Sequence, residues 1–304
     1  MHRETLTRVW QGLFRHVRWN IGIVYAPIAT FLESDARPVV SWLPPPKQGK
    51  FLADPFGIKI NGRLYILCEE FDYRKNRGRI VSIEPERGAP SVNVQPVIEL
   101  PVHVSYPFLF ELRGDIYCIP ETRQAREIAL YRAKEFPHKW IKSASLISNF
   151  SGIDATVFQH DGRWWLSCMS GGSNILSQQF FLFHAQDILG PWKPHSCNPI
   201  KTDSRFSRPG GTPFVHARDL YRPSQDCSRG YGGGIILNRV TKLTPTEFEE
   251  QPTARVTPDA HGPYPDGLHT LSAVGDVTLI DGMRRRFDYS AFRRNMRLAF
   301  HRGM

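Results

Sequence analysis

The 304-residue chain is short of the features that would place it in a disulfide framework, a zinc site or a bilayer. Its five cysteines, Cys68, Cys118, Cys168, Cys197 and Cys227, are odd in number and form no CxxC pair, so neither a full disulfide set nor a tetrahedral zinc site is indicated. Reduced thiols and a cytoplasmic setting are the expectation. No apolar run reaches the roughly 18 residues of a spanning helix, and the start has no secretory signal with an apolar core and a cleavage site. Acidic residues are also scarce, 29 against 39 Lys and Arg, which leaves a net charge of +10. That excess suits an anionic partner: nucleic acid, a phosphorylated sugar donor or an acidic membrane surface.

Turn formers and aromatics are plentiful. Twenty-four Gly and 24 Pro, with 12% aromatic residues, suit many short strands separated by turns and suit long helices poorly. One large all-β domain is therefore favoured over two smaller ones. From Glu4 to Arg18, Leu6, Val9, Trp10, Leu13, Phe14 and Val17 recur at helical spacing, with Arg8, Arg15 and Arg18 alongside. An amphipathic basic helix is expected there, packed on the domain or laid on an anionic membrane face. Trp19 to Ile28 reads as a strand, and Pro44, Pro45 and Pro46 as a stiff connector.

A module then repeats. Asp54-Pro55-Phe56 is followed by Gly62 and Tyr65, Tyr106-Pro107-Phe108 by Gly114 and Tyr117, and Asp154-Ala155-Thr156 by Gly162 and Trp165, with offsets of 8 and 11 each time. A fourth copy begins at Arg208-Pro209-Gly210 and reaches Tyr221 with two extra residues; a fifth, looser copy begins at Leu268-His269-Thr270 and passes Gly275. Spacings of 52, 48, 54 and 61 residues between the leads are those of four-stranded propeller blades. The expected fold is an all-β, five-bladed β-propeller over residues 51–282. Residues 1–50 would supply the helix, strand and connector, and residues 283–304 a basic tail.

First strands of propeller blades line the central channel, so Asp54, Tyr106, Asp154, Arg208 and His269 are expected to converge there. Mutual charge neutralisation around the axis is the alternative to a binding role. Four residues past the second-strand aromatic lie Glu69, Glu121, Met169 and Gln225, with Glu70 and Asp226 beside them. Glu69 and Glu121 are candidate channel acids, each equally open to a salt bridge with Arg208 or Arg222. Weaker motifs are the SRGYGGG run ending at Gly234, read as a loop in preference to a phosphate cradle, and His160, His195 and His216, read as surface histidines without metal spacing. The basic tail, Arg284, Arg285 and Arg286 with Arg293, Arg294 and Arg297, comes with no nucleic-acid-binding signature; no nucleic-acid partner is expected.

The ADPF, SYPF and GIDATVF openings resemble those of five-bladed propeller glycosidases of the arabinanase, xylosidase and invertase group. The ordered run ADPF, SYPF, PET, IDATVF, RPGG, LYRPSQDCS, GLHT and IDG resembles the N-terminal domain of plant glucosamine inositolphosphorylceramide transferases and their bacterial relatives. The glycosidase resemblance implies that Asp54 is the general base or nucleophile and that Asp154 tunes and orients. It further implies that a divalent cation could sit at the axis near His269. The fourth-blade position, a proton-donating Glu in those enzymes, is Arg208 here. A guanidinium cannot donate that proton, whereas it suits a phosphate leaving group.

The leading expectation is thus a sugar transferase using an activated, phosphate-linked or nucleotide sugar, with a lipid-linked or membrane-surface acceptor, at the cytoplasmic face of the inner membrane. Asp54, Asp154 and Glu121 are the candidate catalytic residues. Glu69, Tyr106, Arg208, Arg222, Gln225, Asp226 and His269 are the candidate substrate contacts. A glycoside hydrolase with Glu121 or Glu69 as a displaced acid is the second reading. In the plant proteins transfer is associated with a separate C-terminal domain, so a non-catalytic glycan-binding propeller is the third.

Overall fold

In the computed structural model the described residues are 15–33, 36–86, 88, 91–171 and 178–287. They form five four-stranded antiparallel sheets around an axis. The chain begins with β1 (Arg15–Val24) and β2 (Val40–Trp42). The first blade follows as β3 (Lys50–Ile60), β4 (Arg63–Asp72), β5 (Arg77–Ile83) and β6 (Val94–Ile98). The second is β7 (Ser105–Leu112), β8 (Asp115–Glu121), β9 (Glu127–Glu135) and β10 (Lys139–Ser148). The third is β11 (Ile153–His160), β12 (Arg163–Ser170), β13 (Gln179–Ala185) and β14 (Lys193–Pro194). The fourth is β15 (Phe214–His216), β16 (Asp219–Gln225), β17 (Ile235–Leu243) and β18 (Phe248–Val256).

The fifth blade joins the two ends of the described chain. Its order is β19 (Leu271–Val274), β20 (Val277–Phe287), β1, β2. β1 and β20 pair from Arg15↔Phe287 to Val24↔Thr278, so the ring is closed by backbone hydrogen bonds between segments some 250 residues apart. The strand read at Trp19 belongs to this blade. Arg15 to Arg18, expected as the last turn of a helix, are instead the start of β1; the remainder of that expected helix lies outside the described residues. Of the basic tail, Arg284, Arg285 and Arg286 are in β20, while Arg293, Arg294 and Arg297 lie outside the described residues.

Burial follows distance from the axis. The inner strands carry unbroken buried runs, Ala53 to Phe56 and Leu67 to Glu70 among them, because both faces of each blade are covered by neighbouring blades. The outer strands β10 and β18 are mostly exposed and rich in Lys and Glu, which discourages edge-to-edge association. The inner hairpins turn on Asn61-Gly62, Arg113-Gly114 and Asp161-Gly162, both residues of each pair having positive φ. This is the two-residue turn whose twist matches that of the strands it joins. In the fourth blade Ala217-Arg218 takes the same conformation without glycine.

Candidate active site

The lead residues are distinguished by their backbone before their side chains. Asp54, Tyr106 and Asp154 have φ of 53°, 42° and 52°, values a side-chain-bearing residue seldom adopts. Each coincides with a break in register between the first and second strands of its blade, at Ala53/Phe56, Ser105/Phe108 and Ile153/Thr156. A bulge inserts one residue, bends the strand and re-aims a side chain. It also releases the N–H from the ladder, and carboxyl oxygens take up those donors. The Asp54 N–H donates to Asp281 Oδ2 at 3.1 Å, that of Tyr106 to Asp54 Oδ2 at 3.2 Å and that of Asp154 to Glu121 Oε2 at 3.3 Å.

Two charged groups result. In the first, His269 lies between Asp281, with Nδ1 2.7 Å from Oδ2, and Asp54, with Nε2 3.2 Å from Oδ1. The Thr270 hydroxyl donates to Asp54 Oδ1 at 3.1 Å, and the His269 and Thr270 N–H groups both donate to Asp281 Oδ1. Burial opposes charging the imidazole, but Asp281 and Asp54 outweigh it and raise His269 from 6.5 to about 10. Burial likewise works to raise the Asp54 carboxyl, yet the His269 charge, Arg208 and the Thr270 hydroxyl prevail and hold it below the usual carboxylate range. At neutral pH His269 is therefore an imidazolium beside an ionised Asp54.

In the second group Arg208 Nε donates to Asp154 Oδ2 at 2.6 Å, and Gln225 Nε2 donates to the same oxygen at 3.0 Å. Burial opposes the guanidinium charge, and the Asp154 carboxylate outweighs it. Glu121 is held protonated well above the usual range, first by burial and then by the negative charge of Asp154. Glu69 is raised for the same reasons, with Asp54 as its neighbour. His103 accepts from the Gly78 N–H through Nδ1 at 2.9 Å, which places its own proton on Nε2, 3.5 Å from Glu69 Oε1. Tyr106 links the groups across the axis: its fully buried hydroxyl meets Thr156 Oγ1 at 3.2 Å and accepts from the Gly211 N–H at 2.9 Å.

The structure therefore brings Asp54, Tyr106, Asp154, Arg208 and His269 together, with Glu69, Glu121 and Gln225 around them. Two expected substrate contacts are occupied elsewhere. Arg222 makes two hydrogen bonds to Glu250, at 2.8 and 2.6 Å, and lies over the Phe180 ring, so it is a buried structural cation between strands. Asp226 pairs with Arg255 at 2.7 Å and accepts from Ser228, tethering the glycine-rich loop. Glu70, beside Glu69, is held by Lys50 and Arg79. His195 is buried, not on the surface.

Asp281, Thr270, Trp19 and Tyr231 were missed by sequence reasoning. Tyr231 lies in the glycine-rich loop, 40% exposed, with the Arg208 guanidinium 4.9 Å from its ring centre and His269 edge-on at 4.9 Å; Trp19 packs on His269 at 4.1 Å. Asp54 and His269 are only 5% and 1% exposed, so Tyr231 stands at the mouth of the funnel. Asp54, His269 and Asp281 also present ligand atoms within 4.8 Å of one another, the one such set among the described residues. The set fits a proton better than a metal ion. The imidazolium already answers both carboxylates, and coordination would require it to give up a proton held to about pH 10.

The five-bladed β-propeller is a fold that this chain shares with glycoside hydrolases of known structure. A family 117 glycoside hydrolase from the marine bacterium Zobellia galactanivorans superposes with a TM-score of 0.54 at 13% identity, covering 89% of this chain and 91% of that one. A glycosyl hydrolase from Bacteroides ovatus superposes with a TM-score of 0.56 at 11% identity, covering 79% and 90%. At such identities the likeness concerns the fold. Residues 36–261 match the family model described as glucosamine inositolphosphorylceramide transferase 1, N-terminal, and the chain belongs to that family. It is 33% identical over 225 residues to glucosamine inositolphosphorylceramide transferase 1 of Oryza sativa subsp. japonica, covering 71% of this chain and 30% of the relative. The Arabidopsis thaliana protein of the same name is 32% identical over 259 residues, covering 76% and 33%. The chain thus spans about a third of the length of the curated relatives it matches.

Proposed function

We propose that the propeller is a glycosyltransferase that moves a sugar from a phosphate-linked donor onto a hydroxyl of a lipid-linked acceptor at a membrane surface, on the cytoplasmic side. The observation that carries this reading is Arg208, a permanently charged guanidinium at the fourth-blade lead, anchored through Nε to Asp154 while its terminal amino groups make no hydrogen bond among the described residues. A phosphate leaving with the electron pair of the broken anomeric C–O bond needs a cation more than it needs a proton. Asp54, ionised at neutral pH, takes the acceptor's proton as the acceptor oxygen bonds to the anomeric carbon. Its low basicity matches a proton transfer that comes late, after bond formation has acidified the hydroxyl. The relatives' printed name and the chain's net charge of +10 support a glycolipid setting.

A second reading, glycoside hydrolysis, is favoured by Glu121, a carboxyl kept neutral beside an axial carboxylate and so able to donate a proton. Incubation with nucleotide sugars and, separately, with preformed oligosaccharides distinguishes the two. Nucleotide release lost in Arg208→Gln supports transfer; cleavage of oligosaccharide alone, lost in Glu121→Gln, would sink it.

A further inference from the structure

A cavity of about 500 Å³ opens at one end of the second blade, lined by Glu121, Arg123, Gln124 and Arg126 where β8 passes to β9, and by His103 and Ser151 on the connectors that enter and leave the blade. Not one of these side chains is hydrocarbon, so burial of apolar surface cannot be its purpose. Arg123 uses one amino group on the Gly171 carbonyl at 3.2 Å and Arg126 one on the Asn149 carbonyl at 3.3 Å; among the described residues neither meets a carboxylate. The first bond ties Arg123 to the third blade just past β12, the second ties Arg126 to the end of β10 in its own blade, and each leaves most of the guanidinium's donors for something else. Arg126 also caps a short 3-10 turn with φ of 56°, which fixes where its side chain departs.

The one acid in the lining is Glu121, which burial and Asp154 keep protonated. A neutral carboxyl donates to an anion where a carboxylate would repel it, so the cavity's effective charge is positive. Glu121 is shared with the axial site, where its Oε2 accepts from the Asp154 N–H at 3.3 Å. The cavity is therefore a lateral extension of that site.

We infer that this cavity at the end of the second blade is a phosphate subsite, in which Arg123 and Arg126 hold the distal phosphate of a diphosphate-linked sugar donor while the phosphate bonded to the sugar lies toward Arg208. The inference rests on the transferase reading, and it divides the donor's charge between Arg208 at the axis and the two arginines beside it. Permanently charged, planar guanidinium groups with unused donors are the side chains best matched to phosphate oxygens.

The test is calorimetric titration of the full chain with inorganic pyrophosphate, using Arg123→Gln and Arg126→Asn, the latter chosen because Asn tolerates positive φ. Each substitution is expected to weaken binding about tenfold, the loss of one charge-assisted contact, with an unchanged melting temperature. Arg113→Gln, at the opposite end of the second blade, is expected to bind as the parent does. Pyrophosphate binding that survives the double substitution would overturn the subsite, even where nucleotide-sugar turnover stands. Arginine-dependent binding without any turnover would keep the subsite and remove the transferase reading. Phosphatidylcholine vesicles with and without phosphatidylinositol form the second arm; arginine-dependent binding to the latter lipid with none to pyrophosphate would assign the cavity to a lipid headgroup and overturn the donor assignment.

Discussion

His269 should hold its proton far into alkaline solution, and the fold should depend on it. Its folded value of about 10, against an ordinary 6.5, corresponds at about 1.4 kcal/mol per pH step to about 5 kcal/mol of stability. Because the folded value is the higher, that contribution is complete below pH 6.5 and is lost as pH rises toward 10. Glu69 and Glu121 act in the same sense from their ordinary 4.5 upward, so stability should decline from mildly acidic to alkaline pH. Urea unfolding between pH 6 and 10 reads the decline. His269→Gln removes the cation between Asp54 and Asp281; it should cost about 3 to 5 kcal/mol at neutral pH and flatten the limb above pH 6.5. Nitrogen-15 spectra of the 11 histidines identify the residue directly, since the signal missing in His269→Gln should be an imidazolium at pH 8. If that signal titrates near 6.5, the ion triad as drawn is refuted.

Three other substitutions test which axial and neighbouring residues hold the fold. Tyr106→Phe removes the hydroxyl that accepts from the Gly211 N–H and should lower stability by about 1 to 3 kcal/mol in chemical denaturation, leaving a buried donor unpaired. Arg222→Ala should cost about 3 to 5 kcal/mol by stranding Glu250, yet leave pyrophosphate affinity intact in the folded fraction, because Arg222 stands apart from the axial group. Gly211→Ala should prevent stable folding, as a Cβ there would collide with the Leu271 carbonyl, in a backbone of φ 137° that disfavours any side chain; soluble expression and circular dichroism report it.

The blade count was legible because a two-residue hairpin holds its two strands at a fixed offset, so Gly62, Gly114 and Gly162 recur in step with Tyr65, Tyr117 and Trp165. The ring of leads followed from that register alone. What closes the ring was not legible: β1 pairs with β20 across nearly the whole chain, and the repeat marks inner strands only. For the same reason Trp19 gave no sign that it would meet His269. Asp281 escaped because the fifth copy carries Ile280 where the other second strands were traced from an aromatic, so the acid beside it had no counterpart to compare. Arg222 and Asp226 were misplaced by one consideration, that a charged residue near the leads must face them. Alternation along β16 instead turns Arg222 between blades to Glu250, while Asp226 follows the strand and is held by Arg255. Tyr231 was hidden inside a run whose glycines drew attention to the backbone.

Nucleoside diphosphate release measures sugar transfer by the axial group most directly. The full chain, given nucleotide sugars and an inositol-phosphate glycolipid, should release nucleoside diphosphate and elongate the lipid, with release reduced about a hundredfold or more in Asp54→Asn and in Arg208→Gln of native circular dichroism. Release at the parental rate from both folded variants would contradict transfer by the axial group.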